Sequence, residues 1–175
     1  MSPTHARGAP TGRGAPPPFD PELAAFARTF RETWPSITPA MIPLLRQPAA
    51  LPLLTDEDLA RGGAFTVETR SVPGPEGAPE VPLLICRPTG VPAPTATLVH
   101  VHGGGLFAGT ARFDLGAVLD LAVGLPLAVV AIEYRLTPET PYPGAVEDCY
   151  TGLTWIVEHA AELGVDPTRI VLEGS

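Results

Sequence analysis

Apolar residues change their spacing several times along this chain, and each change predicts an element. Leu23, Phe26 and Phe30 fall on one face of a 3.6-residue repeat, with Asp20 as a candidate N-cap and Pro21 at the first helical position. Residues 34–54 hold too many prolines for one long helix, and Thr55 with Asp58 three positions on predicts the capped start of another short turn. From Ala64 the period drops to two. Phe65 and Val67 alternate with Thr66 and Glu68, and the turn-rich stretch VPGPEGAPE (72–80) separates that run from Val81–Cys86, so two antiparallel strands are expected. Buried strands follow at Thr97–Val101 and Leu127–Ile132, with a helical stripe of Leu115, Val118, Leu119 and Ala122 between them, closed by Gly124. Val146, Tyr150, Leu153, Val157 and Ala160 then repeat at helical spacing as far as Gly164, the expected C-cap, before a last strand at Ile170. The order β-β-β-α-β-α-β predicts an α/β fold with a mostly parallel sheet led in by an antiparallel pair.

Composition narrows the classes. The 175 residues have the length of one domain; 45% are hydrophobic and 17% charged, which is globular usage. No apolar run approaches the roughly 20 residues of a membrane helix. A net charge of −8 argues against nucleic acid as a partner, because phosphate binding draws on clustered Lys and Arg. Residues 1–18 are rich in Pro, Gly and Ala and lack the apolar core of a secretory signal, so a disordered tail is expected. Cys86 and Cys149 read as small buried residues of a reducing compartment, which suggests the cytoplasm.

The stretch LVHVHGGGLFAGT (98–110) carries the chemistry, for there a buried strand runs straight into three glycines. Without Cβ atoms a substrate can approach the backbone closely and N–H groups can point into a cavity, where two of them can stabilise an oxyanion. A featureless glycine turn is the plain alternative. His100 and His102 share one side of the strand, as the ligands of a metal site would, although His5 and His159 make poor further ligands. Gly103-x-Gly105-x-x-Ala108 also fits a permissive dinucleotide fingerprint with Glu133 as the later acid, but Glu133 lies beyond the usual offset of about 20 residues and two strands precede the motif.

With HGGG at His102–Gly105, the segments EYRLTPETPYPGAVEDCYTGLTWI (133–156) and DPTRIVLEGS (166–175) complete a pattern that closely resembles the hormone-sensitive-lipase-like carboxylesterases, bacterial family IV of the α/β-hydrolase fold. The resemblance implies that the N–H groups of Gly104 and Gly105 form part of an oxyanion hole, with Gly103 in the same loop and His102 helping to hold its shape. It implies supporting roles for Arg135, Glu139 and Asp148. It also implies a cap over the acyl pocket in residues 19–62, with Asp20–Phe30 as its helix, and a catalytic domain from residue 63 onward. Leu106, Thr137 and Thr140 depart from the family's usual residues and touch pocket shape more than chemistry. Neither a metal nor an organic cofactor is implied, and the partner is a small-molecule ester.

The elbow pattern G-x-S-x-G requires glycine two residues before the nucleophile, and two residues before Ser175 stands Glu173. Gly174 is therefore the first glycine of the pattern, Ser175 fills the variable position, and the nucleophile is expected at the next position. On this register the chain is an N-terminal part of the fold whose C-terminal half is missing, inactive by itself, with Ile170–Leu172 as an apolar edge open to self-association. A non-catalytic binding protein on the same scaffold is the alternative, with a dinucleotide-binding oxidoreductase further off.

Overall fold

The computed structural model describes residues 20–33, 36–48, 50 and 53–175. The tail expected over 1–18 lies outside them. Two compact units divide the chain, residues 1–39 and 40–175.

In the first unit helix α1 spans Ala24–Thr33 and starts later than the sequence suggests. Asp20 does cap, but it caps a turn: its carboxylate accepts from the Glu22 amide at 2.8 Å and its carbonyl from the Leu23 amide at 3.0 Å. Pro21 is thus a turn residue and not the first helical one. The expected apolar stripe exists, with the Phe26 and Phe30 rings 6.1 Å apart, yet no residue of α1 is buried.

The second unit opens with a short turn of helix α2 (Ile42–Leu45) and helix α3 (Asp56–Leu59). The capping box at α3 forms as expected: the Thr55 hydroxyl accepts from the Asp58 amide at 3.1 Å and the Asp58 carboxylate from the Thr55 amide at 2.8 Å. Strands β1 (Phe65–Val72), β2 (Val81–Pro88), β3 (Thr95–Val101), β4 (Leu127–Ile132) and β5 (Val165–Gly174) form one sheet in the order β1-β2-β4-β3-β5. Strand β2 is antiparallel to both neighbours, while β3 is parallel to β4 and β5, so four of the five strands run the same way.

Helix α4 (Leu115–Ala122) connects β3 to β4; α5 (Gly144–Glu158) and α6 (Ala160–Leu163) connect β4 to β5. The two crossovers lie on opposite faces. Alternate residues of β4 enter different cores: Ala128, Val130 and Ile132 join Ile156 and Leu163, whereas Val129 and Ala131 join Leu59, Leu115 and Leu119. Burial on both sides is why β4 reads as an unbroken apolar run. Gly152 fits this packing, since a Cβ there would stand 3.0 Å from the Ile132 side chain.

One expected helix is two. The run ending at Gly164 breaks at His159, whose ring stacks on Trp155 at 4.1 Å and places Nδ1 3.0 Å from the Trp155 carbonyl. Two groups of His159 compete for that carbonyl, because its backbone amide also donates there, at 2.9 Å. Gly164 does close α6 in the left-handed conformation, with φ 67°.

From β3 the chain crosses to β4 on one side, then passes back over β3 to β5 on the other. The sheet therefore reverses its winding at β3, and the crevice beyond the carboxyl end of such a strand is where open α/β sheets bind ligands.

Candidate active site

The glycine loop leaves β3 at that reversal, and side chains from distant segments set its path. His102 is buried and stacks face to face on Tyr134 at 4.1 Å. Its Nδ1 lies 2.9 Å from the Gly103 carbonyl, and its own carbonyl accepts from the Tyr134 hydroxyl at 2.7 Å. Burial pushes the His102 pKa down, so the ring is neutral at pH 7 and Nδ1, facing a carbonyl, carries the proton. Burial likewise pushes the Tyr134 phenol up to about 12, keeping it a donor.

Gly104 sits at φ 123°, where a Cβ would run into the Ala108 carbonyl. Its own carbonyl accepts from the Phe107 and Ala108 amides at 3.2 and 3.0 Å. Gly105 (φ 62°) and Leu106 (φ 66°) are also left-handed, a conformation that costs an L-residue about 1–2 kcal/mol. Leu106 is held there by Thr137, whose amide and hydroxyl donate to its carbonyl at 2.8 and 3.1 Å. Among the described residues the amides of Gly104, Gly105 and Leu106 have no protein acceptor. Consecutive unspent donors on a pinned backbone are what stabilisation of a developing oxyanion requires.

The Gly103 amide donates to Asp114 at 2.9 Å, and the Ala111 amide donates to Glu133 at 2.8 Å. Burial pushes the Asp114 carboxyl up, but the Gly103 amide, the His100 ring and the Ser175 hydroxyl together outweigh it and lower the pKa. For Glu133 burial prevails over the Ala111 amide and the pKa is raised. Periodicity identified neither acid as a loop anchor, because each acts across a gap in sequence.

Arg135 and Asp148 meet directly. The Arg135 backbone amide and Nε donate to one Asp148 oxygen at 2.9 and 2.8 Å, and Nη2 to the other at 2.7 Å. Asp148 is buried, so this fork carries a charge that has no water to turn to. Glu139 takes no part in it and pairs instead with Arg46, two nitrogens at 2.9 Å each. Arg46 further donates to the Phe107 and Thr137 carbonyls at 2.7 Å each, tying the segment before α3 to the glycine loop. Nothing in the spacing of the sequence pointed to Arg46.

Gly174 ends β5 opposite Val101, and the Ser175 amide donates to the Val101 carbonyl at 3.3 Å. Ser175 thus lies alongside Gly103, where a Cβ on the glycine would stand 3.2 Å from that of the serine. Cys149 and Cys86 are free, and burial pushes both thiols up to about 11, which leaves them protonated and poor nucleophiles at neutral pH.

Two alternative readings lose their geometry. His100 and His102 do not converge, for His100 is held by Asp114 and Glu173 and His102 by Gly103 and Tyr134. A dinucleotide loop must open directly into a helix, whereas α4 begins only at Leu115 and Glu133 is spent on the Ala111 amide.

Residues 98–175 match a family described by its alpha/beta hydrolase fold. The chain is 34% identical over 162 residues to carboxylesterase NlhH of Mycobacterium tuberculosis, covering 91% of this chain and 48% of that protein. It is 34% identical over 143 residues to hormone-sensitive lipase of Bos taurus, covering 80% of this chain and 19% of that one. A solved bacterial heroin esterase superposes with a TM-score of 0.62 at 34% identity, covering 81% of this chain and 49% of its own. A hyperthermophilic esterase from the archaeon Pyrobaculum calidifontis superposes at 0.68 and 25% identity, covering 90% and 50%. The chain spans about half the length of carboxylesterase NlhH and less of the lipase. No helix among the described residues is long and apolar enough to cross a membrane. By fold and by sequence, the chain is of the α/β-hydrolase fold and is similar to carboxylesterases and to hormone-sensitive lipase.

Proposed function

We propose that this chain supplies the oxyanion side of a serine carboxylic-ester hydrolase. A serine attacks the acyl carbonyl, a histidine oriented by an acid relays the proton, and the Gly104 and Gly105 amides hold the tetrahedral oxyanion until water releases the acid. The observation that carries this reading is the pair of unspent amides at the point where the sheet reverses. His102 and Gly103 shape the loop, and Arg135 with Asp148 supports Tyr134 beneath it. The substrate is a small carboxylic ester.

Ser175 is not the nucleophile in this proposal, and the reacting serine is the next residue after it. The 175 residues contain no G-x-S-x-G, so by themselves they turn over no ester; removal of a catalytic triad costs on the order of 10⁶ in kcat. The test is to label the protein expressed from its complete reading frame with a fluorophosphonate and to map the adduct by mass spectrometry. The adduct is expected one residue past Ser175. An adduct on Ser175 itself would overturn the register, and ester binding with neither adduct nor turnover would favour a non-catalytic binding protein.

A further inference from the structure

Below the glycine loop a buried imidazole is gripped at both ends. His100, on β3, is fully buried. Its Nδ1 lies 2.5 Å from a Glu173 carboxylate oxygen on β5, and its Nε2 lies 2.7 Å from Asp114 Oδ1 at the start of α4. The other Asp114 oxygen takes the Gly103 amide. An unbroken chain of hydrogen bonds therefore runs from the end of β5, through β3, to the first glycine of the loop.

Two features set this chain apart from an ordinary satisfied core histidine. Asp114 stands where an N-cap of α4 belongs, yet its side chain caps no helix amide and turns to His100 and Gly103 instead. Each ring nitrogen faces a carboxylate oxygen, and hydrogen bonds to a carboxylate are short and directional. A buried polar cluster of this kind is weak evidence for stability, and fixing register is its best-attested use.

We propose that His100 and Glu173 are positioning residues that act through Asp114: they lock the spacing between the end of β5 and the Gly103 amide, and so aim the Gly104 and Gly105 donors. This rests on the esterase reading above. It follows that the serine after Ser175 and the oxyanion donors are registered to each other through His100 and not through backbone pairing alone.

The test uses the protein expressed from its complete reading frame, with His100→Phe and the double variant His100→Phe/Glu173→Leu. In the single variant kcat for a short-chain 4-nitrophenyl ester is expected to fall roughly 10- to 100-fold, with KM changed less than about threefold. The double variant removes the stranded Glu173 carboxylate and recovers the melting temperature, but not kcat. Wild-type kcat in either folded variant overturns the proposal, as does recovery of kcat together with stability in the double variant. Should His100→Phe fail to fold, Glu173→Gln keeps the shape and is expected to lower kcat severalfold at unchanged KM; unchanged kcat there is equally fatal. A parent protein without ester turnover refutes the functional reading instead. The relay is then judged by nitrogen-15 NMR: Glu173→Gln shifts the Gly103 amide resonance if the chain of bonds exists and leaves it in place if it does not.

Discussion

Strands β3 and β5 lie side by side, run the same way and end the same way, an apolar run passing into glycine. Their ends are nevertheless built by different means. Val99 and His100 are fully buried, and the loop that follows is held by Asp114, Tyr134, Thr137 and Arg46, which come from separate parts of the chain. On β5, Val171 and Leu172 are 58% and 60% exposed, and beyond Gly174 the backbone is tied to β3 by one 3.3 Å bond. A glycine-rich loop is thus made accurate by side chains converging on it. The end of β5 takes its position from its neighbour, through the backbone ladder and the His100 link.

Breaking the support on the β3 side should have the largest effect. Arg135→Ala leaves Asp148 buried with the backbone amide of residue 135 but without its guanidinium, and is expected to cost about 3 kcal/mol in urea unfolding, because removing one partner strands the other charge. A cost below about 1 kcal/mol would mean that water reaches Asp148. Next comes a matched pair on the two strands. Val99→Ala is expected to cost about 2 kcal/mol and Val171→Ala less than about 0.5 kcal/mol, as follows from their 0% and 58% exposure. Equal costs would show that β5 is covered in solution.

The smallest effect is electrostatic. Burial lowers the His102 pKa, so the unfolded chain binds this proton near the ordinary value of about 6.5 while the folded chain binds it only at lower pH. Stability is full above that value and declines as pH falls from it toward the folded pKa. The raised pKa of Glu133 has the opposite sign, since its proton is held more tightly in the folded state, and it acts nearer the carboxylate range. Melting temperatures should therefore stay level from pH 8 to about 6.5 and fall from there to about 5.5, and the slope of that fall should diminish in His102→Gln. An identical slope in the variant would remove His102 from the explanation.

The same contrast explains what could be read from the chain. Elements with a periodic or local signature were legible: the five strands and their succession along the chain, the Thr55 and Asp58 box, the left-handed stop at Gly164, and the three glycines. Local competition for hydrogen bonds moved two boundaries, where Asp20 makes a turn before α1 and His159 divides the expected helix. The stripe of Leu23, Phe26 and Phe30 was legible as a helix face, yet periodicity is silent about what covers it. Arg46, Asp114, Glu133 and Tyr134 were not legible as loop anchors, since each acts on a residue 11 to 93 positions away and leaves no period. The glycines announced the loop; only the folded sheet reveals which side chains aim it.

The central claim, that the Gly104 and Gly105 amides are the oxyanion donors and Ser175 is a bystander, is tested most directly by one paired measurement. Steady-state hydrolysis of a short-chain 4-nitrophenyl ester is compared for Gly104→Ala and Ser175→Ala in the protein expressed from its complete reading frame, each variant verified as folded by circular dichroism. The account predicts a loss of about 10²–10³ in kcat for Gly104→Ala, the cost of disturbing an oxyanion donor, and a change of less than about tenfold for Ser175→Ala. Hydrolysis that survives Gly104→Ala and disappears with Ser175→Ala would contradict it.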